Sequence, residues 1–414
     1  MRGKLVLLIG VFLMVLIASC ATPEKAPQAS GQWINNMHRL SQAYLNLMPY
    51  AADAKEYFDP KNRSVIAGNL KELREVSAQI SKDPQPPDAD PVIGYTSTRF
   101  SIEMKQAQTA YEMNDLPLSR FSLSHASDYC INCHTSINRG SRDFPVAWQL
   151  PLAKLPPALK IESLMANRQY ASAVTLTQSF VWNKVAVQTH PRLWQLTMER
   201  VMALVIRVND DSATALQLAT AAMNNEAAPF YVRNDAAAWF DDIKAWRKEK
   251  VPQGDRAKLA LAKKLVAQAS VRPHMTANLV PSLRASALLH DLLQRAKGAS
   301  RAEVLYQAGL VGQSLRDINL GYLDQYDFEQ CIRTLPHSDL AETCFVELET
   351  SVRDSNLFVD LDPGNAYASD TWLAGLRQLA EVKDPEGPPG WKTRIWDYNL
   401  DENGQPTKKG RKEF

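Results

Sequence analysis

Five consecutive residues, Cys130-Ile131-Asn132-Cys133-His134, carry the clearest chemistry in the chain. Two thiols separated by two residues and followed at once by an imidazole form the C-x-x-C-H pattern of covalent c-type haem attachment. The thiols add across the two vinyl groups of the porphyrin, and His134 then reaches the iron from beneath the ring. Ligand identity, burial and hydrogen bonding tune such a cofactor. The rival chemistries need more than is present. A zinc site requires further Cys or His at ligand spacing, and none follows the motif. A thioredoxin-type dithiol requires a βαβ context, which the sequence lacks. The expected cofactor is one covalent haem c on Cys130, Cys133 and His134.

The elements before the motif agree with chemistry outside the cytoplasm. Arg2 and Lys4 precede an apolar run from Leu5 to Ile17, too short for a comfortable membrane span and suited to a secretory signal. The run ends in Ile17-Ala18-Ser19-Cys20, which resembles a bacterial lipobox. That resemblance implies a signal over residues 1–20 and an acylated Cys20. Ala21, not Asp, follows, which points to a lipid-anchored protein on the periplasmic face of the outer membrane of a Gram-negative bacterium. Residues 21–30 read as a polar tether with two prolines. The net charge of +2 over 414 residues gives no signal for a nucleic-acid partner. Of five cysteines, Cys331 and Cys344 remain after Cys20, Cys130 and Cys133. In an oxidising compartment they read as a disulfide, the alternative being two buried thiols.

Helical periodicity begins after the tether. Trp33, Met37, Leu40, Tyr44, Leu47 and Ala51 form one apolar stripe. Asp59-Pro60 stops that helix. A second, from near Ser64, carries Ile66, Leu70, Leu73 and Ile80. Asp90-Pro91 starts a third, running to about Met113. After the turn Asn114-Asp115-Leu116-Pro117, a fourth carries the motif. Four helices with short connections favour antiparallel neighbours. In this order, with the motif last, residues of about 31–140 resemble the cytochrome c-prime group of four-helix bundles. The resemblance implies Met37 as second axial ligand, as in the Met-ligated relatives, or an open five-coordinate iron, as in the high-spin ones. Met37 as core filling, His38, Met48, Met104, Met113 and His125 are the alternatives. His38 sits about 100° round the helix from Met37 and His125 lies on the motif side. Phe121 and Tyr129 are candidates to pack on the porphyrin or in the core, and Arg139 and Arg142 to pair with its propionates.

Beyond the haem domain, assigned to 31–143, residues 144–384 read as an all-α, alanine- and leucine-rich scaffold. Leu164-Met165-Ala166-x-x-x-Tyr170-x-x-Ala173 resembles a tetratricopeptide hairpin, with further units expected over Glu199 to Met223 and from Asp235. Such stacked hairpins usually bind proteins or peptides, the alternative being a helical domain that merely supports the haem bundle. His190, His274, His290 and His337 have no second C-x-x-C-H and read as structural or surface residues. Residues 385–414 read as a loosely ordered tail, with Trp391 and Trp396 able to pin it. The fold class expected is all-α. The function expected is a periplasmic single-electron carrier whose scaffold docks a redox protein partner, not a catalyst. The alternatives are a five-coordinate haem that binds a gas, and a lipoprotein scaffold with structural haem.

Overall fold

The computed structural model describes residues 31–82, 90–137, 152–270, 276–320, 323–356, 370–382, 398–400 and 406–408. The signal and lipobox with Cys20, the tether, Arg139, Arg142, His274, Trp391 and Trp396 lie outside the described residues.

The chain is all-α, apart from two three-residue strands near its end. Helix α1 (Gly31–Ala52) buries Leu40, Tyr44, Leu47 and Ala51 of the stripe read from the sequence. It ends before Asp59: Asp53 caps a short α2 (Ala54–Phe58) by accepting from the Lys55 N–H, and Asp59 accepts from the Lys61 N–H. Helix α3 (Arg63–Lys82) buries Ile66, Leu70, Leu73 and Ile80. Helix α4 (Pro91–Glu112) starts as its residue types dictate, with Asp90 accepting from the Val92 N–H and Pro91 in the first turn.

The fourth helix expected from the sequence is two. Asp115 caps α5 (Leu116–Ser124), His125 separates it from α6 (Ala126–Ser136), and α6 carries the motif. Ser124 and His125 both bond back to the Phe121 carbonyl, Oγ at 2.6 Å and Nδ1 at 2.9 Å. These side-chain bonds compete for helix carbonyls and mark the break. Phe121, 62 % exposed, stacks on His125 rather than in the core. Helix α3 packs between α1 and α4, and α4 contacts α5 and α6.

The helices that follow are α7 (Pro157–Ala166), α8 (Tyr170–Phe180), α9 (Lys184–Thr189) and α10 (Pro191–Ala203), which runs into a π-helical turn at Leu204–Val208. Then come α11 (Ser212–Asn224), α12 (Phe230–Trp246), α13 (Gly254–Ser270), α14 (Leu279–Leu293) and α15 (Gly298–Ser314). The last are α16 (Asp324–Thr334), α17 (Asp339–Asn356) and α18 (Asp370–Ala380). Strands β1 (Tyr398–Leu400) and β2 (Pro406–Lys408) pair antiparallel, within the segment expected to be loose. The α7–α8 pair coincides with the hairpin-like pattern of the sequence and turns at 167–169, and a second turn falls at 209–211, with Arg168 and Asp210 at positive φ. One continuous apolar core runs from Leu40 of α1 to Ala380 of α18. No helix of the described residues is long and apolar enough to cross a membrane.

Cys331 of α16 and Cys344 of α17 form a disulfide across a hairpin of sequence separation 13. By loop closure it stabilises the fold by roughly 3 kcal/mol. Cys344→Ser is therefore expected to lower the unfolding free energy by about that amount, read as a shift in denaturant midpoint without reductant.

Glu199 of α10 is fully buried, and neither carboxylate oxygen has a hydrogen-bond partner; Arg192 Nη1 lies 3.6 Å away. Burial pushes its pKa up, from the ordinary 4.5 to about 8, with Arg192 opposing. Folding thus binds a proton that the unfolded chain has lost, so this contribution is full below pH about 4.5 and disappears as pH rises through about 8. The slope is at most about 1.4 kcal/mol per pH unit. Glu199→Gln should flatten the stability–pH curve between those limits and be more stable than the parent above pH 8.

Candidate cofactor site

Cys130, Cys133 and His134 stand at i, i+3 and i+4 on α6, which sets all three on one helix face. That face opens on a cleft with about 690 Å³ of space free of protein atoms, open solvent at its mouth included. Helix α1 contributes Trp33, Met37, Leu40, Ser41 and Tyr44 to its lining, and α4 contributes Ile93, Thr96, Ser97 and Phe100. Tyr129, Ile80 and the end of α7, Ala166 and Asn167, complete it.

Of the candidate second ligands, Met37 is the one the cleft brings together with the motif. Met48 is buried in the core at 9 % exposure and Met104 at 0 %, and Met113 is 77 % exposed. None of these three lines the cleft, nor does His38 or His125. The stripe explains the selection: Met37 lies three and seven residues before Leu40 and Tyr44, all on the inward face of α1. Tyr129 lines the cleft and tilts against Phe100 with ring centroids 5.9 Å apart.

The electrostatics of the face are those of neutral donors. Burial lowers the His134 pKa to about 3, with the Arg168 charge adding to the effect and the Ala166 carbonyl opposing it. The ring is neutral at physiological pH and keeps a lone pair for a metal. Its Nδ1 is buried and makes no hydrogen bond of good geometry. Burial raises the thiols of Cys130 and Cys133 to about 12 and about 11. Both are free and protonated, unlike the low-pKa cysteine of a redox dithiol. Thr96 Oγ1 on the opposite wall is likewise buried without a partner. A neutral imidazole with an orphaned nitrogen, two free thiols on the same face and a largely apolar cleft across from them fit a haem held by two thioethers. Among the described residues no group of three or more His, Cys, Asp or Glu has the arrangement to hold a bare metal ion.

Residues far along the chain fix α6 in place. Arg200 of α10 bonds Asp128 at 2.5 Å and Glu162 at 2.8 Å, all three buried. Burial raises the Asp128 and Glu162 carboxyls and Arg200 pulls both back. Asn319 Nδ2 donates to Asp128 at 3.0 Å, and Tyr170 Oη donates to the His134 carbonyl at 3.0 Å. Arg207, in the π-helical turn, donates to Ser136 Oγ at the end of α6. His290 Nδ1 and Asp90 Oδ2, 2.8 Å apart, tie α14 to the start of α4. Of these partners, Tyr170 belongs to the hairpin pattern and Asp90 to a helix start; the others carry no spacing or motif that marks them in sequence.

The chain matches no family model, no curated protein and no solved structure.

Removing Arg200 leaves two carboxylates buried beside the motif helix without their cation. Breaking such a pair typically costs about 3–5 kcal/mol. Arg200→Ala is expected to lose that much in urea unfolding, while Arg39→Ala, which breaks a half-exposed pair with Glu72, should lose no more than about 1 kcal/mol.

Proposed function

We propose that this protein is an exported, lipid-anchored monohaem c-type cytochrome of the cytochrome c-prime type, and that it carries single electrons. The observation that carries the reading is the shared cleft: Met37 of α1 lines the same cavity as Cys130, Cys133 and His134 of α6. A thioether, two thiols and a neutral imidazole around one apolar cavity are the donor set of a Met/His-ligated haem c. Bound there, haem supplies a one-electron iron couple, and Met/His ligation raises its potential and favours electron transfer.

The chain's own residues have separable roles in this reading. Cys130 and Cys133 hold the macrocycle by thioether bonds, so the cofactor stays with the protein in either redox state. His134 would bind the iron as a neutral imidazole, the form that its burial favours. Met37 would be the second side chain to hold the iron, which would close the site to an exogenous ligand. Leu40, Ile80, Ile93 and Phe100 exclude water and keep the site at low dielectric. The lipobox-like Ile17-Ala18-Ser19-Cys20 supports acylation at Cys20 and a place on the periplasmic side of the outer membrane. The long helical segment after residue 143 is the surface available to a redox protein partner.

The test is the absorption spectrum and intact mass of full-length protein produced with haem-ligation machinery. The expected result is one added haem, a sharp low-spin reduced spectrum and a methionine-to-iron charge-transfer band when oxidised. That band should vanish in Met37→Ala and persist in Met48→Ala. A high-spin spectrum that shifts with carbon monoxide would replace the carrier with a gas-binding haem. A colourless protein of unmodified mass would remove the haem reading altogether.

A further inference from the structure

Among the described residues, Arg168 is a buried charge without a counter-charge. It follows Asn167, whose side chain lines the cleft, in the turn between α7 and α8, at φ 58°. Its side chain is buried, at 6 % exposure, and its Nε is buried with no hydrogen-bond partner. Among the described residues the guanidinium forms no ion pair. Tyr170, two residues further on, donates its Oη to the His134 carbonyl at 3.0 Å and so holds this turn against the motif end of α6. The comparison with Arg200 is direct: that guanidinium is equally buried and sits between two carboxylates. A guanidinium stays charged at any physiological pH, and burying it unpaired is costly. Nε of Arg200 and Nε and Nη1 of Arg207 are also unpartnered, but Arg200 holds two carboxylates and Arg207 the Ser136 hydroxyl. Among the described residues the Arg168 guanidinium holds neither, and such an unsatisfied buried donor points to a partner that binds there.

Among the described residues, the lining of the cleft contains no lysine and no arginine. A porphyrin with two carboxylate arms cannot be seated in it without either leaving those arms in water or meeting a positive group at the edge. Arg168, beside the cleft at the end of α7, supplies that group from outside the first four helices. The planar fork of a guanidinium matches a carboxylate in bidentate fashion. We propose that Arg168 binds a propionate carboxylate of the haem seated in this cleft, an inference that rests on the haem reading above. Arg139 and Arg142, the candidates nearest the motif in sequence, lie outside the described residues.

The test is resonance Raman spectroscopy of the haem-loaded full chain, read at the propionate bending band, which reports hydrogen bonding to the carboxylates. Arg168→Asn is the first variant, since asparagine tolerates the left-handed backbone found there. Arg168→Lys is the second, since it keeps the charge but loses the fork. The expected result is a band shift in Arg168→Asn, a smaller shift in the same direction in Arg168→Lys, and none in Arg39→Gln. Haem present by mass with the band unmoved in whichever Arg168 variant folds overturns this inference and leaves the haem reading intact. No haem in the unsubstituted protein overturns both. If acetate raises the melting temperature of the Cys130→Ser/Cys133→Ser protein only when Arg168 is present, while the loaded protein's band stays fixed, the site takes a free carboxylate and the propionate assignment falls.

Discussion

The position of α6 depends on one buried ionic triad. Arg200 reaches across the interior to Asp128 on α6 and Glu162 on α7. Ion pairs of this kind are poor sources of net stability, because desolvation of three charges offsets their attraction. What they supply is position. Two residues after Asp128 comes Cys130, so the face bearing the thiols and His134 is set by a charge contributed seventy residues later in sequence. Asn319 and Tyr170 add hydrogen bonds to the same helix from two other elements.

A cleft needs a wall as well as a floor, and the wall is governed by helix periodicity. Met37 faces α6 because it belongs to the stripe that includes Leu40 and Tyr44, which are buried by the same geometry. The packing of α3 between α1 and α4 fixes that stripe's direction. The cleft that results is largely apolar, and burial favours the neutral forms of the imidazole and thiols that line it. Burial keeps His134 deprotonated and both thiols protonated. Neutral nitrogen and sulfur donors in a dry cavity are compatible with a covalently held metal macrocycle. They are less compatible with thiolate chemistry, which needs a nearby positive field strong enough to overcome desolvation.

Much of this was legible in the sequence because local physics carries it. The Asp90-Pro91 start is a backbone capping device, and the structure uses it as such. The stripe of α1 and the face of α3 are matters of period, and the turns at 167–169 and 209–211 are marked by polar residues. The i, i+3, i+4 placement of Cys130, Cys133 and His134 needed only that their segment be helical. Other features were not legible. The break at His125 depends on Ser124 and His125 competing for the Phe121 carbonyl, which no simple breaker residue announces. Arg168 reads as a polar turn residue, His290 as structural or surface, and Arg200 and Arg207 as ordinary polar residues of helices. Their burial follows from tertiary packing, which the local pattern does not encode. The π-helical turn that carries Arg207 likewise has neither proline nor glycine to mark it.

The contact between His290 and Asp90 spans 200 residues. It joins the cap of α4, an element that lines the cleft, to a helix made long after the thiols have emerged during synthesis. Pairings at such separations form late, since chain closure over long loops is entropically slow. The cavity is therefore completed from the far end of the polypeptide. Until α14 packs, the cap of α4 lacks this tie, and the wall that α4 gives the cleft beside Cys130 and Cys133 has one anchor fewer.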